Sequence, residues 1–313
     1  MKKIRGAVLL FITAFIWGGA FVAQDMGLEY VGPFVFTAIR FLMGGIFLFI
    51  VSVIVDLVKI KKLHVEYKKE EKKKKIKTTI KGGVLCGIVL FVGSNLQQIG
   101  IVYTTAGKCA FISAFYIVIV PIIGLVFKKK CDVTVYVAVA IALVGMYFLC
   151  LGEGFGKLNV GDAITFVSSF IFALHIITVD KFITECDGIK LSALQCLTCS
   201  VLSFILTAIF EKPTLSGITG AIMPLLFAGV MSAGIAYTFQ ILGQKDLNPT
   251  VASLIMSFES VAGALFSFIV LKQTMTTKEV IGCVITFIAV ILAQIPIKGI
   301  IEKRRNIKKI RNI

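Results

Sequence analysis

Ten long apolar stretches, separated by short polar or basic segments, constrain this chain more than any other feature of its sequence. A helix needs about 20 apolar residues to cross the ~30 Å hydrocarbon core of a bilayer. The stretches cover residues 6–27, 33–58, 82–102, 105–127, 133–151, 161–180, 190–210, 218–243, 248–271 and 278–296. The sequence therefore predicts an all-α polytopic membrane protein with ten transmembrane helices.

The overall composition agrees with this prediction. Hydrophobic residues make up 58% of the 313 residues and charged residues only 16%, which is more apolar surface than one soluble core can bury. The formal net charge of +16 would suggest a nucleic-acid partner in a soluble domain. Because the basic residues are confined to segments between apolar stretches, membrane orientation explains them, and we expect no nucleic-acid binding.

The distribution of Lys and Arg predicts the orientation in the membrane. If the N-terminus is inside, 27 of the 33 basic residues fall in inner segments, 11 of them in residues 59–81. The outer segments hold only Lys157, Lys212, Lys272 and Lys278. This asymmetry predicts cytoplasmic N- and C-termini in the inner cell membrane. Arg40 and Lys108 fall inside stretches, and we expect Lys108 to snorkel to the outer surface.

Residue types recur between the first five and the last five stretches. Asp25 matches Asp180 at a spacing of 155 residues, and Ser113 matches Ser257 at a spacing of 144. Because each half has an odd number of helices, the second half should enter the membrane from the opposite side. The predicted order is a first repeat at residues 1–151, an outer linker at 152–160, a second repeat at 161–296 and a basic cytoplasmic tail at 297–313. Inverted repeats are typical of transporters that work by alternating access, with the site at the repeat interface.

Two charged side chains lie deep inside predicted helices, where charge is costly unless it faces a polar interior. Arg40 lies about 10 Å along the second helix and can bind a carboxylate or phosphate bidentately, or else snorkel outward or pair with Asp25 or Glu29. Glu259 lies about 16 Å along the ninth helix, where burial disfavours the ionised form. It is a candidate proton carrier or cation-binding group, or else a structural carboxyl.

Other polar side chains at membrane depth have a structural alternative as well. His175 is a second candidate for proton coupling or an interhelical hydrogen-bonding partner. Trp17 stacks on a ligand or fills a helix contact. The amides in the third and eighth stretches can bind a polar ligand or hold helices together, and Asn95 and Gln98 share a helix face. The predicted substrate-binding set is Trp17, Arg40, Asn95, Gln98, Tyr116, His175, Tyr237, Gln240 and Glu259.

Backbone features point to packing and movement. Pro121 removes a hydrogen bond inside the fourth helix, so we expect a bend and a gating point there. Close helix packing is predicted at Gly18, Gly19, Gly44, Gly45, Gly82, Gly83, Gly229 and Gly234.

No enzymatic or metal-binding pattern is evident. Walker, Rossmann, zincin and catalytic-triad motifs do not occur in the sequence. His175 has no assignable nucleophile as its partner. Cys196 and Cys199 form a CxxC without a second such pair or a nearby His, which favours packing over metal binding. We therefore expect no catalysis, cofactor or metal.

Five segments resemble the EamA branch of the drug/metabolite transporter superfamily. They are FIWGGAF at 15–21, FTAIRFLMGG at 36–45, TTAGKCAFISAFYIVIVP at 104–121, ALHIITVDKF at 173–182 and SFESVAGALFSFIVLKQTMTTKEVIGC at 257–283. The resemblance implies five plus five inverted helices around a central cavity and export of amino acids or related metabolites. Arg40 and Glu259 fall on polar positions common in that family. The acidic residues usual after helices 4 and 9 are replaced by Lys128–Lys130 and Gln273.

The sequence thus predicts a secondary transporter for a small polar metabolite, acting as a monomer or homodimer in the lipid bilayer. An amino-acid exporter is the first interpretation, by resemblance. A nucleotide-sugar or sugar-phosphate exchanger, with Arg40 and Lys108 as phosphate contacts, and a membrane sensor without transport are the alternatives.

Overall fold

The computed structural model describes residues 2–63, 69–126, 133–150, 159–270, 272 and 276–294. Most of the predicted linker at 152–160 and the whole predicted tail at 297–313 lie outside the described residues. The same is true of Lys128–Lys130 and Gln273.

Helices account for nearly all of the described chain, and no strand occurs within it. The first half contains α1 (Lys2–Leu28), α2 (Pro33–Leu63), α3 (Lys69–Tyr103), α4 (Ala106–Ser113), α5 (Tyr116–Val126) and α6 (Val133–Cys150). The second half contains α7 (Val160–Ile183), α8 (Gly188–Phe210), α9 (Leu215–Gly220), α10 (Ile222–Leu226), a π-helix (Phe227–Ala236), α11 (Tyr237–Gln244), α12 (Pro249–Met256), α13 (Glu259–Val270) and α14 (Thr277–Gln294).

These helices confirm an all-α polytopic membrane protein. Eight helical segments of the described chain are long and apolar enough to cross a bilayer. Two shorter apolar segments, Val133–Gly145 and Val280–Leu292, lie within the predicted fifth and tenth stretches.

The fourth predicted helix is interrupted, but not at Pro121. The break falls at residues 114–115, where Ile117 N–H bonds to the carbonyl of Ala114, three residues back, whereas α5 runs through Pro121. An equivalent break at residues 257–258 separates α12 from α13, and α13 contains no proline. Pro121 therefore does not by itself account for the interruption, and the bend and gating point expected at Pro121 stay a prediction.

Helix boundaries in the two halves follow constant spacings. The ends of α1 and α7 and the starts of α2 and α8 are both 155 residues apart. The starts of α4 and α12, and those of α5 and α13, are 143 residues apart. The sequence-based spacing of 144 fits α6 and α14, which start and end 144 residues apart, whereas the bounds of α4 and α12 place Ser113 opposite Met256.

Helix packing follows the same correspondence. In the core, α2 packs along α8 and α6 along α14, and each pair consists of equivalent helices. The third segment, α3, packs on α7 and α8, while its equivalent, the π-helix with α11, packs on α1 and α2. Each of these contacts between a helix of the first half and one of the second half thus has a counterpart between the equivalent helices. The opposite membrane orientation of the halves stays a prediction.

Glycines allow these close approaches. A Cβ added at Gly18 would lie 2.4 Å from Ala262 Cβ and 2.6 Å from the backbone nitrogen of Gly263. A Cβ at Gly44 would lie 2.8 Å from the carbonyl oxygen of Gly229. The halves therefore meet backbone to backbone, as small residues permit between membrane helices.

We expect Gly18→Ala to lower the thermal stability of the purified protein, because overpacking costs about 1–3 kcal/mol. Gly107→Ala is the matched control, since no atom lies within 4 Å of a Cβ at that position. The measurement is the midpoint of thermal unfolding in detergent. Equal midpoints for the two variants would contradict the close packing of α1 on α13.

The orientation prediction is tested by cysteine labelling from outside the cell. In a cysteine-free background we expect an impermeant thiol reagent to label Lys212→Cys and engineered sites in residues 152–160, because these loops are predicted to be outside. Lys74→Cys, in the predicted inner segment, should stay unlabelled until the membrane is opened. Lys74 and Lys212 are both exposed, so burial would not explain a failure to label. The reverse pattern would overturn the predicted orientation.

Candidate functional site

A polar cavity lies between the two halves. It has about 470 Å³ of empty space, including its opening to solvent. Seven of the nine predicted binding residues line it: Trp17, Arg40, Tyr116, His175, Tyr237, Gln240 and Glu259. The other lining residues are Ala20, Phe21, Gln24, Gln97, Phe172, Ile176 and Ser232.

Arg40 is buried without a counter-charge. Its side chain is 4% exposed, so it does not snorkel to the surface. Its guanidinium carbon lies 4.9 Å from the ring centroid of Phe41, a cation–π contact. Within the described chain no ion pair joins it to Asp25 or Glu29. A buried charge without a partner is costly, so Arg40 stays a candidate for binding an anionic ligand group.

Several buried polar atoms of the lining residues have no hydrogen-bond partner in the described structure. The donors are Trp17 Nε1 and Arg40 Nε, and the acceptors are Gln24 Oε1 and Gln240 Oε1. An unsatisfied buried group costs roughly 1–3 kcal/mol. The cavity is therefore suited to a ligand, or water, that both accepts and donates hydrogen bonds.

Glu259 is joined to the other half of the protein. Tyr116 Oη donates a hydrogen bond to Glu259 Oε1 at 2.9 Å, and the two residues are 3% and 4% exposed. Tyr116 begins α5 and Glu259 begins α13, so each directly follows a helix break and they occupy equivalent positions. The helix N-terminus at Glu259 favours negative charge.

Two aromatic groups line the same cavity. His175 makes a 3.0 Å hydrogen bond from Nε2 to Gln195 Oε1 on α8, which is the predicted interhelical contact. Its ring also lies edge-on to Tyr237, with centroids 6.0 Å apart, and it lines the cavity. Trp17 packs on Tyr237 with centroids 4.9 Å apart. Trp17 therefore both contacts a neighbouring helix and lines the cavity.

Asn95 and Gln98 do not line the cavity. Asn95 Nδ2 donates to Ser203 Oγ at 2.8 Å, and Gln98 Nε2 donates to the carbonyl oxygen of Gln24 at 3.5 Å. They share a helix face as predicted, but that face contacts α8 and α1. Gln97, displaced about 100° around the helix, lines the cavity instead.

Gln24 was missed by the sequence analysis, although a signal for it exists. It lies seven residues after Trp17 on α1, and Ala20 and Phe21 between them also line the cavity. Residues at spacings of three, four and seven share one face of a helix. A search for polar residues on the face defined by Trp17 finds Gln24.

Lys108 does not line the cavity. Its side chain is 27% exposed and forms an ion pair. Its Nζ lies 2.8 Å from Asp162 Oδ2, and Asp162 is 3% exposed. Pro121, the predicted gating residue, is buried within α5 and does not line the cavity either.

Comparison with known proteins gives related sequences over nearly the whole chain. The family model of the EamA-like transporter family matches residues 4–151 and again residues 159–294. An uncharacterized transporter of Archaeoglobus fulgidus is 27% identical over 296 residues, covering 94% of this chain and 87% of the relative. One of Clostridium kluyveri is 23% identical, covering 100% and 98%. A crystal structure described only as that of a protein has a TM-score of 0.70 at 16% identity, covering 92% and 96%, and shows the fold alone.

Proposed function

Because the chain belongs to the EamA-like transporter family, we propose that it exports a small zwitterionic metabolite of the amino-acid type by alternating access. The observation that carries this proposal is one cavity lined by two buried groups, the guanidinium of Arg40, which has no ion pair within the described chain, and the carboxyl of Glu259. The two groups suit opposite charges on one ligand.

The partners for each end of the ligand follow from hydrogen-bonding chemistry. Arg40 Nε and Trp17 Nε1 donate only, so they would bind a substrate carboxylate. The side-chain oxygens of Gln24, Gln240 and Glu259 accept, so they would bind an ammonium group. A zwitterion satisfies the buried atoms of both kinds at once.

Alternating access is supported by the repeat. The family model matches the chain twice, and equivalent helix breaks precede Tyr116 and Glu259. The hydrogen bond between these residues joins equivalent positions of the two halves. It would break or lengthen if the halves rocked against one another, as inverted repeats do around a central site.

Proton coupling is part of the proposal. Within the described chain no ion pair neutralises Glu259, so in a closed cavity its neutral form is favoured, and flooding would allow it to ionise. His175 would be the second titrating group. The export direction rests on the family resemblance and the cell-membrane orientation on the positive-inside pattern.

A phosphate-bearing substrate has less support. The sequence analysis assigned its phosphate to Arg40 and Lys108. Lys108, however, is paired with Asp162 and does not line the cavity. Arg40 would then bind the phosphate alone.

Ligand binding to the purified protein tests the substrate class. We expect an amino acid to raise the unfolding temperature, because a ligand at 100 times its Kd stabilises by about 2.7 kcal/mol. The same compound as its amide, without the carboxylate, or as its deaminated acid should give a much smaller shift. Stabilisation by sugar phosphates or nucleotide sugars, with none by amino acids, would contradict the proposal.

A further inference from the structure

A row of buried polar side chains leads away from the cavity. Gln97, which lines the cavity, donates from Nε2 to Ser113 Oγ at 2.9 Å. Ser113 Oγ lies 3.9 Å from Cys109 Sγ, and Cys109 Sγ lies 3.6 Å from Thr165 Oγ1. Ser113, Cys109 and Thr165 are all 0% exposed. The row therefore lies inside the helix bundle and does not face lipid.

The row ends near the surface at Asp162, one helical turn before Thr165 on α7. Thr104 Oγ1 donates to Asp162 Oδ1 at 2.7 Å, and Lys108 Nζ donates to Asp162 Oδ2 at 2.8 Å. The side chain of Lys108 is 27% exposed. Polar side chains thus lie at intervals between the cavity and the end of the protein at which α7 begins.

The other half of the protein builds the equivalent contact without polar side chains. At the spacings of 143 and 155 residues, the counterparts of Ser113, Cys109, Thr165 and Asp162 are Met256, Ala252, Leu10 and Ala7. All four counterparts belong to one apolar cluster. The fold therefore does not need polar atoms at these positions for packing, although such atoms are costly in a membrane.

We infer that water, and with it protons, enters the cavity along the row from Asp162 to Gln97, while the apolar cluster around Leu10 and Met256 seals the opposite end. A surface ion pair joins Arg5 and Asp246 at the mouth of that end, at 2.7 Å, and Arg5 is 63% exposed. By the positive-inside pattern, Asp162 lies on the outer side.

The water path rests on the geometry, and its role in supplying protons rests on the proposed function. The ionisable groups around Glu259 that such protons would meet are Arg40, Tyr116, His175, Tyr237 and Cys109. Protons entering from outside would drive export by antiport, because the coupling ion and the substrate then move in opposite directions.

Thiol accessibility tests the path without any need for transport. One variant keeps Cys109 as the sole cysteine, and its matched control carries Ala252→Cys in the cysteine-free background. An impermeant cationic methanethiosulfonate reagent is applied to right-side-out and to inside-out membrane vesicles. We expect Cys109 to react from the outer side at least tenfold faster than the cysteine at position 252 reacts from either side.

A second variant replaces the polar atoms of the row. Ser113→Met with Thr165→Leu gives the row the residues of its apolar counterpart, and we expect the labelling rate of Cys109 to fall more than tenfold. Equal rates for Cys109 and position 252, labelling of Cys109 from the inner side only, or an unchanged rate in the second variant would each overturn the inference. If Cys109 labels as expected but no substrate binds or moves, the path stands and the proposed function fails.

Discussion

We expect Arg40→Lys to lower the uptake of a carboxylate-bearing substrate by about 10- to 100-fold and to leave the uptake of a neutral analogue nearly unchanged. An ammonium group supplies a point charge but not the planar fork that binds a carboxylate at two atoms. A hydrogen bond to a charged group contributes about 1.5–3 kcal/mol, and about 1.4 kcal/mol corresponds to a tenfold change. Initial uptake rates in proteoliposomes measure the effect.

The chain offers a matched control for this substitution. Arg5→Lys makes the same chemical change outside the cavity, at an ion pair with Asp246 in which Arg5 is 63% exposed. Its uptake should match that of the wild type for both compounds. If Arg40→Lys impaired both classes of compound equally, Arg40 would be a structural residue.

We expect Glu259→Gln to abolish the response of transport to a pH gradient and largely to preserve exchange of substrate at equal concentrations. Glutamine keeps a side-chain oxygen to accept the hydrogen bond from Tyr116, but it cannot release a proton. Exchange needs no net proton movement, whereas transport driven by a gradient does. Uptake with and without an imposed gradient, together with exchange in the same vesicles, measures both quantities.

A carboxyl outside the cavity is the control for Glu259. Asp56→Asn removes an acid from a surface ion pair with Lys190, whose side chains are 41% and 39% exposed, and should leave the gradient response intact. Wild-type transport that ignores the gradient would refute the coupling. Loss of both modes in Glu259→Gln would make Glu259 a substrate ligand or a packing residue, and substrate affinity would separate these two roles.

Much of the fold could be predicted because the position of a membrane helix depends on the hydrophobicity of its own stretch of sequence. Charged and turn residues bound the apolar stretches, so helix ends such as Pro33 and Phe210 fell close to their predicted positions. The π-helix at Phe227–Ala236 could not be predicted, because its residues are ordinary for an apolar helix. The breaks before Tyr116 and Glu259 also lack a glycine or proline of their own.

The candidate site was predicted in part for a similar reason. Arg40 and Glu259 are conspicuous because charge is rare at membrane depth. The choice among neighbouring amides was harder, since one residue turns the side chain by about 100° and separates Gln97 at the cavity from Gln98 in a helix contact. The partner of Lys108, Asp162, lies 54 residues away, and only the tertiary fold brings them together.

Counterflow in proteoliposomes tests most directly whether this protein carries substrate through the central cavity. Vesicles are loaded with unlabelled standard amino acids and diluted into a trace of the same labelled compounds, and mass spectrometry identifies which compounds move. A carrier predicts transient accumulation of label above its equilibrium level, reduced in Arg40→Lys and absent from vesicles without protein. No movement of any compound, with or without a pH gradient, would contradict transport, and binding without movement would favour a sensor.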